Sequence, residues 1–212
     1  MTKKSTFFLL FIIFAGLSVH AQLGGKKFFE GHLQYSNVDI PKYEAKGPQQ
    51  YPLTFDLYLK DKRLCFIREF YKWTDSYIIL PDSGIAYETD GRNGRVFKLP
   101  IKEYAVKPMG RSVREVIQYG DTFYIDSIKC SKMLVISDIA AGVVYDTLYM
   151  TNEIQLNVEP YVYQKLMMFP FMDVPHGGIL VKDVMDGPTI KRITKLEMVE
   201  PTTPKESYFL PK

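Results

Sequence analysis

The feature that most constrains this chain is a two-residue alternation cut by tight turns. Phe29, Gly31, Leu33 and Tyr35 alternate with Glu30, His32, Gln34 and Ser36, and Leu53, Phe55, Leu57 and Leu59 alternate with Thr54, Asp56, Tyr58 and Lys60. Successive side chains of a strand point to opposite faces, so each run encodes a strand with one apolar and one polar side. Asp61–Lys62 then turns the chain into Arg63–Phe70. Pro81–Asp82–Ser83–Gly84 turns Tyr77–Leu80 into Ile85–Thr89, and Asp90–Gly91–Arg92–Asn93–Gly94 leads into Arg95–Leu99. These are the residues that tight turns require, and the result is a meander of hairpins.

A first helix is expected over Arg111–Tyr119, where Val113, Val116, Ile117 and Tyr119 form a partly apolar face. A second meander follows: Thr122–Ile128, then Ser131–Ser137, a turn over Asp138–Gly142, and the β-branched, aromatic run Val143–Thr151. Glu159–Met168 is expected as a short helix, and Ile179–Met185 and Thr189–Val199 close the chain as a hairpin around Asp186–Gly187–Pro188. The total is about ten strands and two short helices, a mainly β chain of α+β type with a single antiparallel sheet.

The N-terminus reads as a secretory signal peptide over residues 1–21. Lys3 and Lys4 precede the uncharged run Phe7–Leu17, and Val19–His20–Ala21 supplies a small-residue cleavage site before Gln22. This is the order of charge, apolar core and cut that export requires. The apolar run is shorter than the roughly 20 residues that span a bilayer. No Cys follows the cut to be acylated, and no later stretch is long enough to serve as a transmembrane anchor. The expected locations are the periplasm, the periplasmic face of the outer membrane, or the extracellular space. Residues 22–200 then form one β domain, and 201–212, with Pro201, Pro204 and Pro211, a C-terminal tail.

Removal of Lys3 and Lys4 leaves 25 basic side chains against 24 acidic ones. Such a balance excludes a dedicated nucleic-acid binder, because Lys26–Lys27, Lys60–Lys62–Arg63 and Arg92–Arg95 are short clusters beside turns. Cys65 and Cys130 are the sole cysteines. An exported chain allows them to form a disulfide, and their apolar surroundings equally suit two small buried hydrophobes; both readings stand.

Catalytic equipment is sparse. His32 falls on the polar side of the first strand and His176 in a Pro-His-Gly-Gly turn, neither beside a nucleophile motif. The cysteines and histidines do not have the spacing of a metal site, and no cofactor is indicated. Asp90–Gly94 mixes acid, amide and glycine but has no alternating acidic ligands or distal Glu, so Gly91 and Gly94 are read as suppliers of positive φ rather than parts of a calcium loop. Glu30, Asp56, Glu69, Asp75, Glu88, Asp126 and Asp146 are acids of the kind a glycosidase pairs, with nothing in the sequence to pair them. Leu166–Met172 concentrates Met and Phe around Pro170, a composition suited to repacking against greasy partners. Trp73 sits at a turn, as an exposed anchor or a half-buried packing residue.

The Phe28–Phe29–Glu30–Gly31 start, the segment Phe123–Lys132, the run Tyr149–Ile154 and the turn Pro175–Leu180 resemble uncharacterised secreted proteins related to the LolA/LolB lipoprotein-carrier fold. Where such proteins often carry Trp-Tyr-Thr, this chain has Leu148–Tyr149–Met150–Thr151, and the carrier's release arginine has no counterpart. The resemblance implies a strongly curved sheet, a half-open β-barrel covered by one or two short helices, holding an acyl chain or other hydrophobic ligand. Phe55, Leu57 and Tyr87 are then the expected cavity lining, and Met167, Met168, Phe169 and Phe171 the expected lid. The expected function is a non-enzymatic lipid binder of the bacterial envelope. The alternative is an accessory subunit with an envelope protein partner and an exposed apolar patch; a hydrolase, needing two convergent titratable groups, ranks third.

Overall fold

The computed structural model describes residues 28–43, 53–101, 111–156 and 178–211. The expected signal peptide, the helix over Glu159–Met168, His176 and the four lid residues lie outside them. Eleven strands are formed: β1 (Gly31–Pro41), β2 (Thr54–Lys60), β3 (Arg63–Glu69), β4 (Thr74–Leu80), β5 (Ile85–Asp90), β6 (Arg95–Pro100), β7 (Arg111–Ile125), β8 (Ile128–Ile139), β9 (Gly142–Gln155), β10 (Gly178–Asp186) and β11 (Ile190–Glu200). They make one sheet in the order β6-β5-β4-β3-β2-β1-β11-β10-β9-β8-β7. All neighbours are antiparallel. Two hairpin meanders, β1 to β6 and β7 to β11, therefore meet at the β1–β11 seam. β6 and β7 remain as edges, so the sheet is not closed into a barrel.

The expected helix over Arg111–Tyr119 is instead the first part of β7, paired throughout with β8. The misreading has a geometric cause. Val113 lies opposite Ser137 and Val116 opposite Val135, with an irregularity between Val113 and Glu115. A bulge inserts one residue and shifts the alternation, so Val113 and Val116 share a face at a spacing of three, as on a helix. A second irregularity between Tyr119 and Thr122 inserts two residues and leaves the alternation in phase. Among the described residues the helical pieces are two short 3-10 turns, Pro81–Ser83 and Glu206–Phe209, neither of them a covering helix.

The hairpin turns fall where the residues demand them. Asp61 and Gly94 adopt φ of 57° and 67°. Gly91 has a different reason to be glycine: a Cβ there would lie 1.9 Å from the Thr74 carbonyl oxygen, so the need is close backbone approach rather than positive φ. The β7–β8 turn is Asp126–Ser127, both with positive φ (46° and 71°), a two-residue turn of the type that follows strand twist.

The C-terminal residues pack rather than trail. Phe209 is buried with Cys65 and Ile78, beside Tyr58, Leu80, Tyr87 and Tyr208. Tyr208 stacks on Tyr58 with centroids 3.9 Å apart. Burial, the hydrogen bond to Tyr208 and the nearby Asp56 raise the Tyr58 phenol far above its ordinary range. Glu206 is gripped by Arg63 at 2.6 Å and by Lys60. Hydrogen bonds from Arg63 and Lys60 hold its carboxyl at about 2, below its ordinary 4.5. A depressed folded-state pKa stabilises above the unfolded value and loses that contribution as pH falls through the folded one. The docked tail is therefore expected to hold above pH 4.5 and loosen towards pH 2. Ring resonances of Tyr58 and Tyr208 report this by NMR, and Glu206→Gln abolishes the transition.

Candidate functional site

Strand pairing sorts the side chains into a main face and a reverse face. On the main face, one apolar cluster runs from Ala86 of β5 through Leu64, Leu57, Leu33 and Leu180 to Val135 of β8. Leu33, Leu57, Leu64, Val135, Leu148, Ile179 and Leu180 are wholly buried. Phe55 and Leu57 belong to this cluster, with Tyr35 stacked on Phe55 at 4.7 Å and Phe66 edge-on to it at 5.4 Å. Tyr87 does not join them. Its cross-strand line runs Tyr87–Ile78–Cys65–Tyr58–His32, which is the reverse face. The alternation of β5 had been read one residue out of phase: Ala86 and Glu88 point to the main face, Tyr87 away from it.

The main face is polarised along the strands. Its upper end lies towards the β2–β3, β4–β5 and β7–β8 turns, and its lower end towards the β3–β4, β5–β6, β8–β9 and β10–β11 turns. On eight of the strands the apolar residues of the upper half give way to polar or ionisable ones, whereas β2 stays apolar through Leu59, Leu57 and Phe55, and Val144 and Met185 lie below Asp146 and Asp183. The series are Leu33–Tyr35–Asn37–Asp39 on β1, Leu64–Phe66–Arg68 on β3, Ile79–Tyr77–Asp75 on β4 and Ala86–Glu88 on β5. Leu196–Thr194–Arg192 on β11, Leu180 then Asp183 on β10, Met150–Leu148–Asp146 on β9 and Val135–Ser137 on β8 continue the trend. On β10 a bulge after Leu180 explains the three-residue step. Asp75, Ser137, Asp146, Asp183 and Thr194 are all buried.

Two arginines anchor the lower half. Arg68 donates to Asp75 at 3.0 Å and to the Tyr77 hydroxyl, which in turn donates to Glu88 at 3.2 Å. The guanidinium also lies 4.6 Å from the Tyr77 ring centroid, a cation–π contact. Burial, opposed by Arg68 and aided by Glu88 and Asp75, raises the Tyr77 phenol far above its ordinary range, so it stays neutral and acts as a hydrogen-bond relay. Arg192 grips Asp39 through two hydrogen bonds of 2.7 and 3.2 Å, and Thr194 donates to Asn37 at 2.6 Å. Both guanidiniums are tied to carboxylates.

The reverse face holds the other expected residues. The His32 ring lies 2.7 Å from Asp56 through Nε2, with Gln34 donating to the same carboxylate oxygen at 3.0 Å, and it stacks on Tyr58 at 4.3 Å. It is a packed structural histidine. Cys65 sits in the reverse-face core and Cys130 near the β7–β8 tip; both are buried and no disulfide joins them. Six strand steps separate β3 from β8 in the sheet order, which accounts for that. Burial pushes the Cys130 thiol up to about 11, so it stays protonated. Trp73 is half-buried, stacked on Phe70 at 4.9 Å. Among the described residues no group of three or more His, Cys, Asp or Glu could hold a metal ion, and no helix is long and apolar enough to cross a membrane.

No family model matches the chain, and no curated protein matches it. Among solved structures, the crystal structure of LprF from Mycobacterium bovis is similar with a TM-score of 0.34 and 11% identity, over 90% of this chain and 97% of that one.

Proposed function

We propose that the protein is an exported, non-enzymatic binder of an amphiphile, with the apolar part of the ligand on the upper half of the main face and its polar part on the lower half. The observation that carries this reading is the polarity gradient itself, repeated on eight strands drawn from both meanders. A core selected for stability alone gains nothing from a sorted gradient, since buried ionisable groups cost more than they return. A site for an acyl chain with a polar head uses it at both ends, because ligand sites combine an apolar lining with a few placed polar groups. Export follows from the charged, apolar and small-residue order of the N-terminus.

Native mass spectrometry of the chain purified from its own envelope, with lipid analysis of the organic extract, tests the reading. One amphiphile per chain is expected. A protein that emerges empty and takes up neither fatty acids, fatty alcohols nor fatty amines overturns it.

A second reading, that of an accessory subunit, draws on β7. Its residues 112–122 are exposed on both faces, Val113, Val116, Ile117 and Tyr119 among them, and β8 is its one partner in the sheet. A long apolar edge offers strand addition to another chain. Co-purification of a partner that is lost on Ile117→Lys, from a protein carrying no amphiphile, would favour this reading over the first.

A further inference from the structure

The reverse face of the sheet has two halves that are treated differently. On the first meander, Tyr58, Cys65 and Ile78 lie beside the cations Lys60 and Arg63, and the chain's own C-terminal residues close over them. Phe209 fills the apolar part and Glu206 takes both cations. That half shows what such a surface receives: an apolar group with an anion next to it.

On β1 and the second meander, strand register sets out three reverse-face rows across six strands. The middle row is Val38–Ile193–Val184–Thr147–Leu134–Ile117. The row above it is Ser36–Lys195–Lys182–Tyr149–Lys132–Tyr119, and in the row below, Ile40, Tyr145 and Ile136 add further apolar surface. Val38 is 55% exposed and Ile40 and Tyr145 45% each, while Ile193, Val184 and Leu134 are half-buried. Six strands about 4.8 Å apart make an apolar band about 24 Å long. The 3-10 turn at Glu206–Phe209 lies on β3 and β4 and leaves this band open.

The lysine row is the informative one. Lys182 stands directly opposite Lys195, where like charges repel. Lys195 is answered by Asp126 at 2.7 Å. Lys132 lies over the Tyr119 and Phe123 rings at 4.5 and 5.4 Å. Lys132, Lys182 and, in the lower row, Lys191 pair with no acid among the described residues, and Asp186 beside Lys191 goes to Lys42. A row of cations kept at that cost beside a band of β-branched residues fits an occupant that is anionic and apolar together and at least as wide as the band.

We propose that this half of the reverse face docks on a bilayer surface rich in anionic lipid. The head groups meet the lysine ammoniums, whose stems lie along apolar surface, and the tyrosines sit at the interface they favour. Apolar contact and charge then act in the same direction, as in other interfacial binding. Docking by the reverse face turns the main face away from the bilayer, so it tethers the chain, and it is independent of what the main face carries.

The test is sedimentation of the chain purified from its own envelope with vesicles of phosphatidylcholine alone and of equal parts phosphatidylcholine and phosphatidylglycerol. Binding to the mixed vesicles is expected to exceed binding to the neutral ones at least about tenfold. It should fall as salt rises from about 0.15 M to about 1 M, which shortens the screening length from about 8 Å to about 3 Å. Lys182→Gln and Lys132→Gln are each expected to weaken it about fivefold, and Val38→Glu, which sets a carboxylate in the exposed part of the apolar row, by at least as much. Lys72→Gln, at the β3–β4 turn, should leave it unchanged; circular dichroism checks the fold of all four variants. Equal binding to the two vesicles, or a loss on Lys72→Gln as large as on Lys182→Gln, overturns the docking face. A chain that ignores both vesicles and sediments as a dimer dissolved by Val38→Glu makes the face a contact between copies, which overturns the proposal too. Native mass spectrometry of the same sample reads the amphiphile separately, so either reading can fail without the other.

Discussion

Leu57→Ala is expected to lower the unfolding free energy by about 2–5 kcal/mol, a large share of the about 5–15 kcal/mol that holds a typical domain together. Leu57 is wholly buried at the middle of the first meander, opposite Leu33 on β1 and Phe66 on β3. Truncation there removes the transfer energy of the lost methyl groups and leaves a void lined by side chains on strands that pair on both sides. Such a site collapses poorly, which puts the cost towards the upper part of the range. Leu57→Met, which nearly conserves volume, should cost less than about 1.5 kcal/mol. Val116→Ala on the exposed part of β7 should stay within about 0.5 kcal/mol. Urea unfolding followed by circular dichroism gives all three from the shift in midpoint at constant slope. Equal shifts for Leu57→Ala and Val116→Ala would mean that the main face is not the core of this fold. A charged residue at position 57 removes the fold itself, so ligand contacts on this face are better probed with isosteric changes such as Asp146→Asn.

How much of this was legible in the sequence depends on where side-chain alternation survived. β1 and β2 were readable because they keep strict alternation over their whole central length, and Phe55 and Leu57 were placed on the inner side for that reason. The turns at Asp61–Lys62 and Asp90–Gly94 were readable because their residues announce them. β7 was not, since the bulge between Val113 and Glu115 turned its alternation into an apparent helical spacing. The Asp126–Ser127 turn lacked the glycine that usually marks paired positive φ angles, so the first strand of that hairpin was run through to Ile128 and the second was started late, at Ser131. Tyr87 was lost to a one-residue phase error, which in a strand exchanges the faces entirely. The docking of Tyr208 and Phe209 could not be read from a proline-rich terminus, because it depends on Tyr58 and Cys65, distant in sequence and close only through the sheet.

The polar half of the main face was missed for a deeper reason. Asp75, Glu88 and Asp146 were visible as acids on strands, but their common face exists only once eleven strands are in register. The sequence of any one strand shows one or two polar residues at inward positions, which resembles noise. The sheet order turns them into a pattern across eight strands.

Arg192→Met is expected to destabilise the protein by about 3–5 kcal/mol, whereas the double variant Arg192→Met with Asp39→Leu should recover most of that loss. The side chains of Arg192 and Asp39 are 11% and 6% exposed and share two hydrogen bonds across β1 and β11. Two charges removed from water repay their desolvation through close partners, so deleting the guanidinium leaves a buried carboxylate with its principal partner gone. Replacing both by apolar side chains removes the burial cost together with the attraction. The location adds to the expected effect. β1 and β11 form the seam between the two meanders, supplemented among the described residues by the isolated bridge from Phe29 to Leu156 at the upper end. At the lower end Arg192–Asp39 is joined by the Thr194–Asn37 hydrogen bond one row above and, below it, by the Lys42–Asp186 ion pair and the hydrogen bond from the Lys42 N–H to the Thr189 carbonyl. A double-mutant cycle measured by denaturant unfolding separates the possibilities: a large coupling energy shows the pair acting as a unit, and additive losses would show Arg192 acting through other contacts. If the double variant is as stable as the parent and yet no longer retains an amphiphile, the ion pair is kept for what the lower half of the face binds rather than for the strength of the seam.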